Sequence, residues 1–429
     1  MQKPKVLMVN KFFWRKGGAE AAFFGAIELL ERMGHKVAHF SMKHDRNLAS
    51  PFANYFVDTI DYDQVEDARS KMRAAKNAIY NAGARRKIER LIDEEKPDLA
   101  HLHNIHHQLS PSILFALKSR GVPVVLTLHD FKLICPGAVL MSGGKPCELC
   151  AGNRYYNALF RRCVKGSLAA SLVACIEAYA NRLHRAFERA VSFLIAPSRF
   201  LKEKVIGGGY DRRKVIHLPN FVFPERYEPV FEGERKLVYC GRLSAEKGLR
   251  TLLEAVAGTS IKINIIGEGP EERNLRESID RFGLKNVSLK GYLSGDRLVT
   301  AISEAAAVVV PSECYENCPI SVLEAFALGK PVIAARIGGI PELVAHGTDG
   351  FLFEPGNASD LREAALRALE NPGLTREMGK KAREKVELRY GPEAHYERLM
   401  EIYEMALGDR PSASPLRPAI TAKRVSQSK

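Results

Sequence analysis

Short apolar runs alternate with segments of helical period along almost the whole chain, and the series runs through twice. In the first series, Lys5 to Val9 reads as a buried strand. A loop with Gly17 and Gly18 follows, then a helical pattern from Ala19 to Met33 that Gly34 stops, and a strand from Lys36 to Phe40. Strands are expected at Asp98–His103, Val122–Leu128 and Phe193–Ala196, with helical stretches near 66–95, 110–120 and 166–190. In the second series the strands are Lys236–Tyr239, Ile261–Ile266, Val287–Lys290, Ala307–Val310, Val332–Ala335 and Phe351–Phe353. Between them fall helices over Gly248–Ala257, Pro270–Phe282, Asp296–Ala305 and Pro319–Leu328, and further helices follow near 358–370, 374–390 and 392–407. Strands alternating with helices imply a parallel sheet covered on both faces. At 429 residues the chain exceeds one ordinary core. The expected organisation is a first α/β domain over 1–217, a linker over 218–234 marked by Pro219, Pro224 and Pro229, and a second α/β domain over 235–390. A C-terminal helix over 391–408 and a disordered basic tail over 409–429 complete it.

Hydrophobic residues make up 46% and charged residues 27% of the chain, which excludes a mostly disordered protein. No apolar run approaches the ~20 residues of a spanning helix, and the run Val6 to Val9 is too short for a signal peptide, so a cytoplasmic protein is expected. Eight cysteines in a chain this long do not suggest a secreted disulfide scaffold. The net charge of +14 is one-sided: residues 1–230 hold 36 Lys and Arg against 22 Asp and Glu, and the remainder cancels. A one-sided basic surface points to an acidic partner: an anionic membrane, a nucleic acid or an anionic substrate.

In open parallel sheets ligands bind beyond the carboxyl ends of the strands, so the loops there carry the functional expectation. The loop from Cys240 to Gly248 places Arg242 and Lys247 after a strand and before a helix, a planar fork and a point charge that suit a diphosphate. The loop after Ala307–Val310 leads to Pro319, expected as a first helical residue. The N-terminus of that helix would set Asn317, Cys318, Pro319, Ile320 and Ser321 against an anion. Glu316 and Glu324 stand eight positions apart, and phosphates would repel both carboxylates. Neutral hydroxyls suit them better: a ribose diol for Glu324 and a sugar for Glu316.

Together Arg242, Lys247, Glu316 and Glu324 resemble the nucleotide-sugar site of glycosyltransferase family 4. The segments 97–107, 122–131, 193–203, 216–222 and 329–357 also look like that family, in particular its cysteine-containing members that build bacterial surface polysaccharides. The resemblance implies the GT-B architecture, two Rossmann-like domains with parallel sheets facing across a cleft, with the C-terminal helix crossing back to the first domain. It implies retaining transfer from a nucleotide-sugar, UDP before GDP, to a glycan or lipid-linked acceptor, with no cofactor required for catalysis. Arg242 and Lys247 would hold the diphosphate and Glu324 the ribose. Glu316 would bind the donor sugar, Gly17 and Gly18 would lie by the donor phosphates, and His129 would contact the donor sugar. Glu342, in the segment Gly339 to Glu342, is expected in a supporting position.

Two features stand outside that site. Cys135, Cys147, Cys150 and Cys163 form a split CxxC in a loop-rich insertion over 135–163, a ligand set that suits a structural zinc ion or an iron–sulfur cluster, or else four ordinary thiols. Basic stretches at Arg69 to Arg90 and at Arg154, Arg161, Arg162, Lys165, Arg182, Arg185 and Arg189 suit peripheral binding to the inner face of the cell membrane. The rival class is a non-enzymatic membrane or nucleic-acid binding protein with a zinc knuckle. The chain lacks any stacking or helix-turn-helix signature, which sets nucleic acid aside.

Overall fold

The computed structural model describes residues 3–60 and 67–408. Its first sheet contains β1 (Val6–Val9), β2 (Val37–Phe40), β3 (Leu99–Leu102), β4 (Val124–Thr127), β7 (Phe193–Ala196) and β8 (Val215–His217), in the order β2-β1-β3-β4-β7-β8. The insertion after β4 carries a separate hairpin, β5 (Met141–Ser142) with β6 (Lys145–Pro146). The second sheet contains β9 (Glu234–Cys240), β10 (Lys262–Ile266), β11 (Val287–Leu289), β12 (Ala305–Val310), β13 (Val332–Ala335) and β14 (Gly350–Phe353), in the order β11-β10-β9-β12-β13-β14. All pairings within both six-stranded sheets are parallel. Helices cover both faces, so strands such as Val6-Leu7-Met8-Val9 are buried on both sides and read as continuous apolar runs. Each sheet reverses its strand order once, between β1 and β3 in the first and between β9 and β12 in the second. A crevice opens at such a reversal, beyond the carboxyl ends of the strands.

The last helix, Pro392–Ala406, returns to the first sheet. Leu399, Ile402 and Tyr403 are buried among Val6, Leu99 and Val125. Its polar groups are matched as well: the Tyr403 hydroxyl is 2.7 Å from His101 Nδ1, and the Tyr396 hydroxyl is 2.9 Å from His35 Nε2.

Several elements differ from expectation. The long helix expected near 66–95 is two, Ala68–Ile79 and Ala82–Glu95, because the Asn81 side chain accepts from Ala84 N at 3.0 Å and starts a new helix. Along the two helices Met72 is 74% exposed, while Ala74, Ala78 and Ile88 are buried. The stretch near 166–190 breaks at Arg185, whose φ of 49° is left-handed, into Leu168–His184 and Ala186–Ala190. Strand β8 was not anticipated: three residues are too few to show a period. Pro319 is not helical but caps Ile320–Ala327 in an extended conformation. Between the sheets, Phe221, Val222 and Phe223 are buried, so this stretch is packed rather than a free tether. The expected tail over 409–429 lies outside the described residues.

Candidate active site

The two reversals bring four loops to the carboxyl ends of the sheets. In the second sheet, the loop after β9 turns at Gly248 into the helix Leu249–Val256. Gly248 has φ +67°, and a Cβ there would lie 1.8 Å from the Pro311 carbonyl, so only glycine lets this loop close onto the one after β12. That contact sets Lys247 beside Glu316. Lys247 Nζ donates to Glu316 Oε1 at 2.6 Å, and Ser312 Oγ donates to the same oxygen at 2.6 Å. Burial opposes the ammonium, but the Glu316 carboxylate together with Cys314 and Glu246 outweighs it and raises the Lys247 pKa. Behind Glu316, Gly338 (φ +59°) packs so closely that a Cβ would lie 2.2 Å from the Glu316 carbonyl, which also accepts from Gly339 N at 2.8 Å.

Glu324 lies one turn into Ile320–Ala327 and accepts from the Tyr227 hydroxyl at 3.3 Å. Burial raises its pKa, with the Tyr227 hydrogen bond opposing. It opens into a cavity of about 70 Å³ that Arg15, Gly25, Phe221, Tyr227 and Ile320 also line. Arg242 is exposed, and its backbone carbonyl accepts from the Tyr239 hydroxyl at 2.8 Å.

The facing loop of the first sheet runs from Asn10 to Gly18. Gly17 is the N-cap of Gly18–Arg32, and a Cβ on Gly18 would meet nothing within 4 Å, so protein packing does not demand that glycine. Lys16 precedes it. Burial, then Lys11, lowers its pKa, and the charges of Arg242 and Arg46 add to the effect while Glu20 opposes it. Lys16 thus shares a positive field with Arg242 across the two domains. Sequence reasoning passed over Lys16 and also Glu20, which is 5% exposed and 3.5 Å from Asn10 Nδ2. A carboxylate in the first helical turn, directly after the two glycines, was the available signal for Glu20.

His129 follows β4. Its Nε2 is 2.7 Å from His103 Nδ1, and the rings stack with centroids 4.9 Å apart. Burial lowers His129 to about 4, and the neighbouring His101 to about 3, so these imidazoles are neutral. The histidines of β3 and the loop after it divide into two groups: His101 and His103 are buried near the cleft, whereas His106 and His107 flank the buried carboxylate of Glu177 with Lys132.

Not every candidate points at the crevice. The Asn317 side chain bridges the domains, accepting from Ser198 Oγ at 2.7 Å and donating to the Leu128 carbonyl at 3.0 Å. The Cys318 carbonyl accepts from Asn220 Nδ2 at 2.8 Å, and burial pushes its thiol up to about 12. Ser321 is half-buried and Ile320 lines the Glu324 cavity. Glu342 proves to be a bridge too: its carboxylate accepts from Arg199 N and Phe200 N, both at 2.8 Å. It therefore caps the helix Arg199–Gly207 from the opposite domain.

Cys150 packs with Tyr155, Ala158, Cys175 and the half-buried Cys163, and burial followed by its neighbouring thiols pushes it up to about 12. A Cβ on Gly137 would lie 3.3 Å from Cys163 Cβ and 3.9 Å from Cys135 Sγ, so these two cysteines meet at one turn. Among the described residues no three His, Cys, Asp or Glu side chains have an arrangement that could hold a metal ion, and Cys135, Cys147, Cys150 and Cys163 are free thiols.

Two parallel Rossmann-like sheets whose crevices face each other define a GT-B protein. Residues 16–226 match the family model described as Glycosyltransferase Family 4, and residues 225–385 match Glycosyl transferases group 1. The chain belongs to glycosyltransferase family 4. It is 31% identical over 173 residues to the alpha-D-kanosaminyltransferase of Streptomyces kanamyceticus, covering 39% of this chain and 45% of that relative. It is 23% identical over 343 residues to the N-acetyl-alpha-D-glucosaminyl L-malate synthase of Bacillus anthracis, covering 77% and 80%. The chain spans less than half the length of the first curated relatives that it matches. In fold it is similar to Anabaena HepE in complex with UDP-glucose, with a TM-score of 0.66 at 18% identity over 94% of this chain and 100% of that one.

Proposed function

We propose that the chain is a retaining glycosyltransferase that moves a sugar from a nucleotide-sugar to a glycan or lipid-linked acceptor at an anionic membrane. The observation that carries this reading is the Lys247–Glu316 pair at the strand reversal, beside the N-terminus of Ile320–Ala327 and facing Lys16 and Arg242. A diphosphate entering there meets Lys247, Arg242 and Lys16, and it competes with Glu316 for the Lys247 ammonium. Charge accumulates on the diphosphate as the sugar departs, so these cations stabilise the transition state more than the bound donor. Glu324, in its cavity, is placed to accept from a ribose diol. Neutral His129 offers a hydrogen bond to the transferred sugar. UDP is the preferred base, supported by the UDP-glucose complex of HepE.

Glu316 keeps Ser312 as a donor when the diphosphate takes Lys247, and Glu324 is held by Tyr227. That favours attack of the acceptor on the same face as the departing phosphate over a carboxylate nucleophile. The test is turnover of a panel of UDP- and GDP-sugars, read as nucleoside diphosphate released. Release with at least one donor, lost in Lys247→Ala, is expected; unchanged release in that variant would sink the assignment.

A further inference from the structure

The helix Leu168–His184 turns apolar side chains to solvent along one face. Leu168, Leu172, Ile176, Tyr179 and Leu183 are between 41% and 80% exposed. Their spacing of four, four, three and four places them within about 80° of arc on a 3.6-residue helix. The helix Tyr156–Phe160 packs beside it with Phe160 77% exposed, and Ala68–Ile79 packs along it with Met72 74% exposed. A helix whose apolar stripe faces water marks an interaction surface.

The charge around this stripe selects the occupant. The two longer helices hold one acid between them, Glu177, which is fully buried with Lys132 Nζ 3.0 Å away. Arg73 and Lys76 are exposed on Ala68–Ile79, Arg161 and Arg162 follow Phe160, and Arg185 and Arg189 lie beyond the far end of the stripe. A second copy docked face to face would set arginine against arginine. The tail over 409–429 carries +4 and would be repelled in the same way. An anionic lipid surface accepts the apolar side chains and the cations together.

We infer that Leu168–His184 lies in the plane of an anionic membrane, with its apolar stripe inserted and the flanking arginines on lipid phosphates. The inference builds on the membrane part of the proposed function. Vesicle binding read without donor or acceptor keeps its failure apart from a failure of the transferase reading.

The experiment is flotation of the full chain with phosphatidylcholine vesicles, with and without phosphatidylglycerol. Binding only to the anionic vesicles, weakened by salt, is expected. The variant Leu172→Gln/Ile176→Gln/Leu183→Gln should bind at least tenfold more weakly with an unchanged melting temperature, since all three side chains already face solvent. The variant Arg161→Gln/Arg162→Gln/Arg189→Gln should lose roughly 100-fold, at about 1 kcal/mol per cation. Absence of vesicle binding, equal binding to both compositions, or binding untouched by both variants would overturn the inference. So would a solution dimer that the apolar variant dissolves while vesicle binding is absent.

Discussion

Lys247 and Glu316 form an ion pair, Nζ to Oε1 at 2.6 Å, where the second sheet reverses its strand order. Glu316 also accepts from Ser312, so its carboxylate is held from two sides. Removing Lys247 leaves that carboxylate half-satisfied, at a cost of about 1–3 kcal/mol. Lys247→Ala should therefore unfold at lower denaturant, and Glu316→Gln in the same background should recover part of the loss. Additive effects in this double-mutant cycle, read by denaturant melts, would show the two side chains to be uncoupled.

Lys16 and Arg242 share a positive field across the cleft. A diphosphate relieves it, so Lys16→Ala should weaken binding of a nucleoside diphosphate by roughly tenfold, and salt should weaken the wild type more than the variant. Calorimetric titration at two ionic strengths checks this. Equal affinities for the two proteins at low salt would remove Lys16 from the site.

The buried histidines predict acid lability. Folding lowers His101 to about 3 and His129 and His395 to about 4, against 6.5 when unfolded. Between those values the unfolded chain binds more protons than the folded one, so stability falls as pH drops through 6.5 toward 4. One such group changes stability by on the order of 1.4 kcal/mol per pH unit inside its window. Melting temperatures from pH 8 to 5 should fall below pH 6.5, and less steeply in His101→Gln. A flat profile would contradict the burial of these rings.

Glu342 caps the helix Arg199–Gly207 from the other domain with two 2.8 Å hydrogen bonds. Losing a cap of this kind costs about 1 kcal/mol. Because this cap spans the cleft, the loss should appear as domain opening. Glu342→Ala should raise the radius of gyration in solution scattering and raise KM more than it lowers kcat. An unchanged scattering profile would reduce Glu342 to local packing.

The repeated strand–helix series was legible because strands buried on both faces must be apolar throughout, as Val6–Val9 and Val332–Ala335 are. Arg242, Lys247, Glu316 and Glu324 were legible by position, since each follows a strand directly or lies in the helix after it. Their partners were not. Sequence assigned Glu316 to sugar hydroxyls, but the backbone contact between Gly248 and Pro311 that delivers Lys247 to it is a tertiary one. Asn317 read as part of an anion-binding helix start, yet Ser198 and the Leu128 carbonyl, more than a hundred residues away, claim its side chain. The exposed stripe on Leu168–His184 was hidden because periodicity marks an apolar face without saying what covers it.

The most direct test of the central claim is the shift in melting temperature on adding UDP to the wild type and to Arg242→Ala/Lys247→Ala. A ligand at about 100 times its Kd stabilises the folded state by about 2.7 kcal/mol, which is a readily measured shift. The account predicts a clear rise for the wild type and none for the double variant. A wild type unmoved by UDP, GDP and their sugars, or a double variant that rises as much as the wild type, would contradict it.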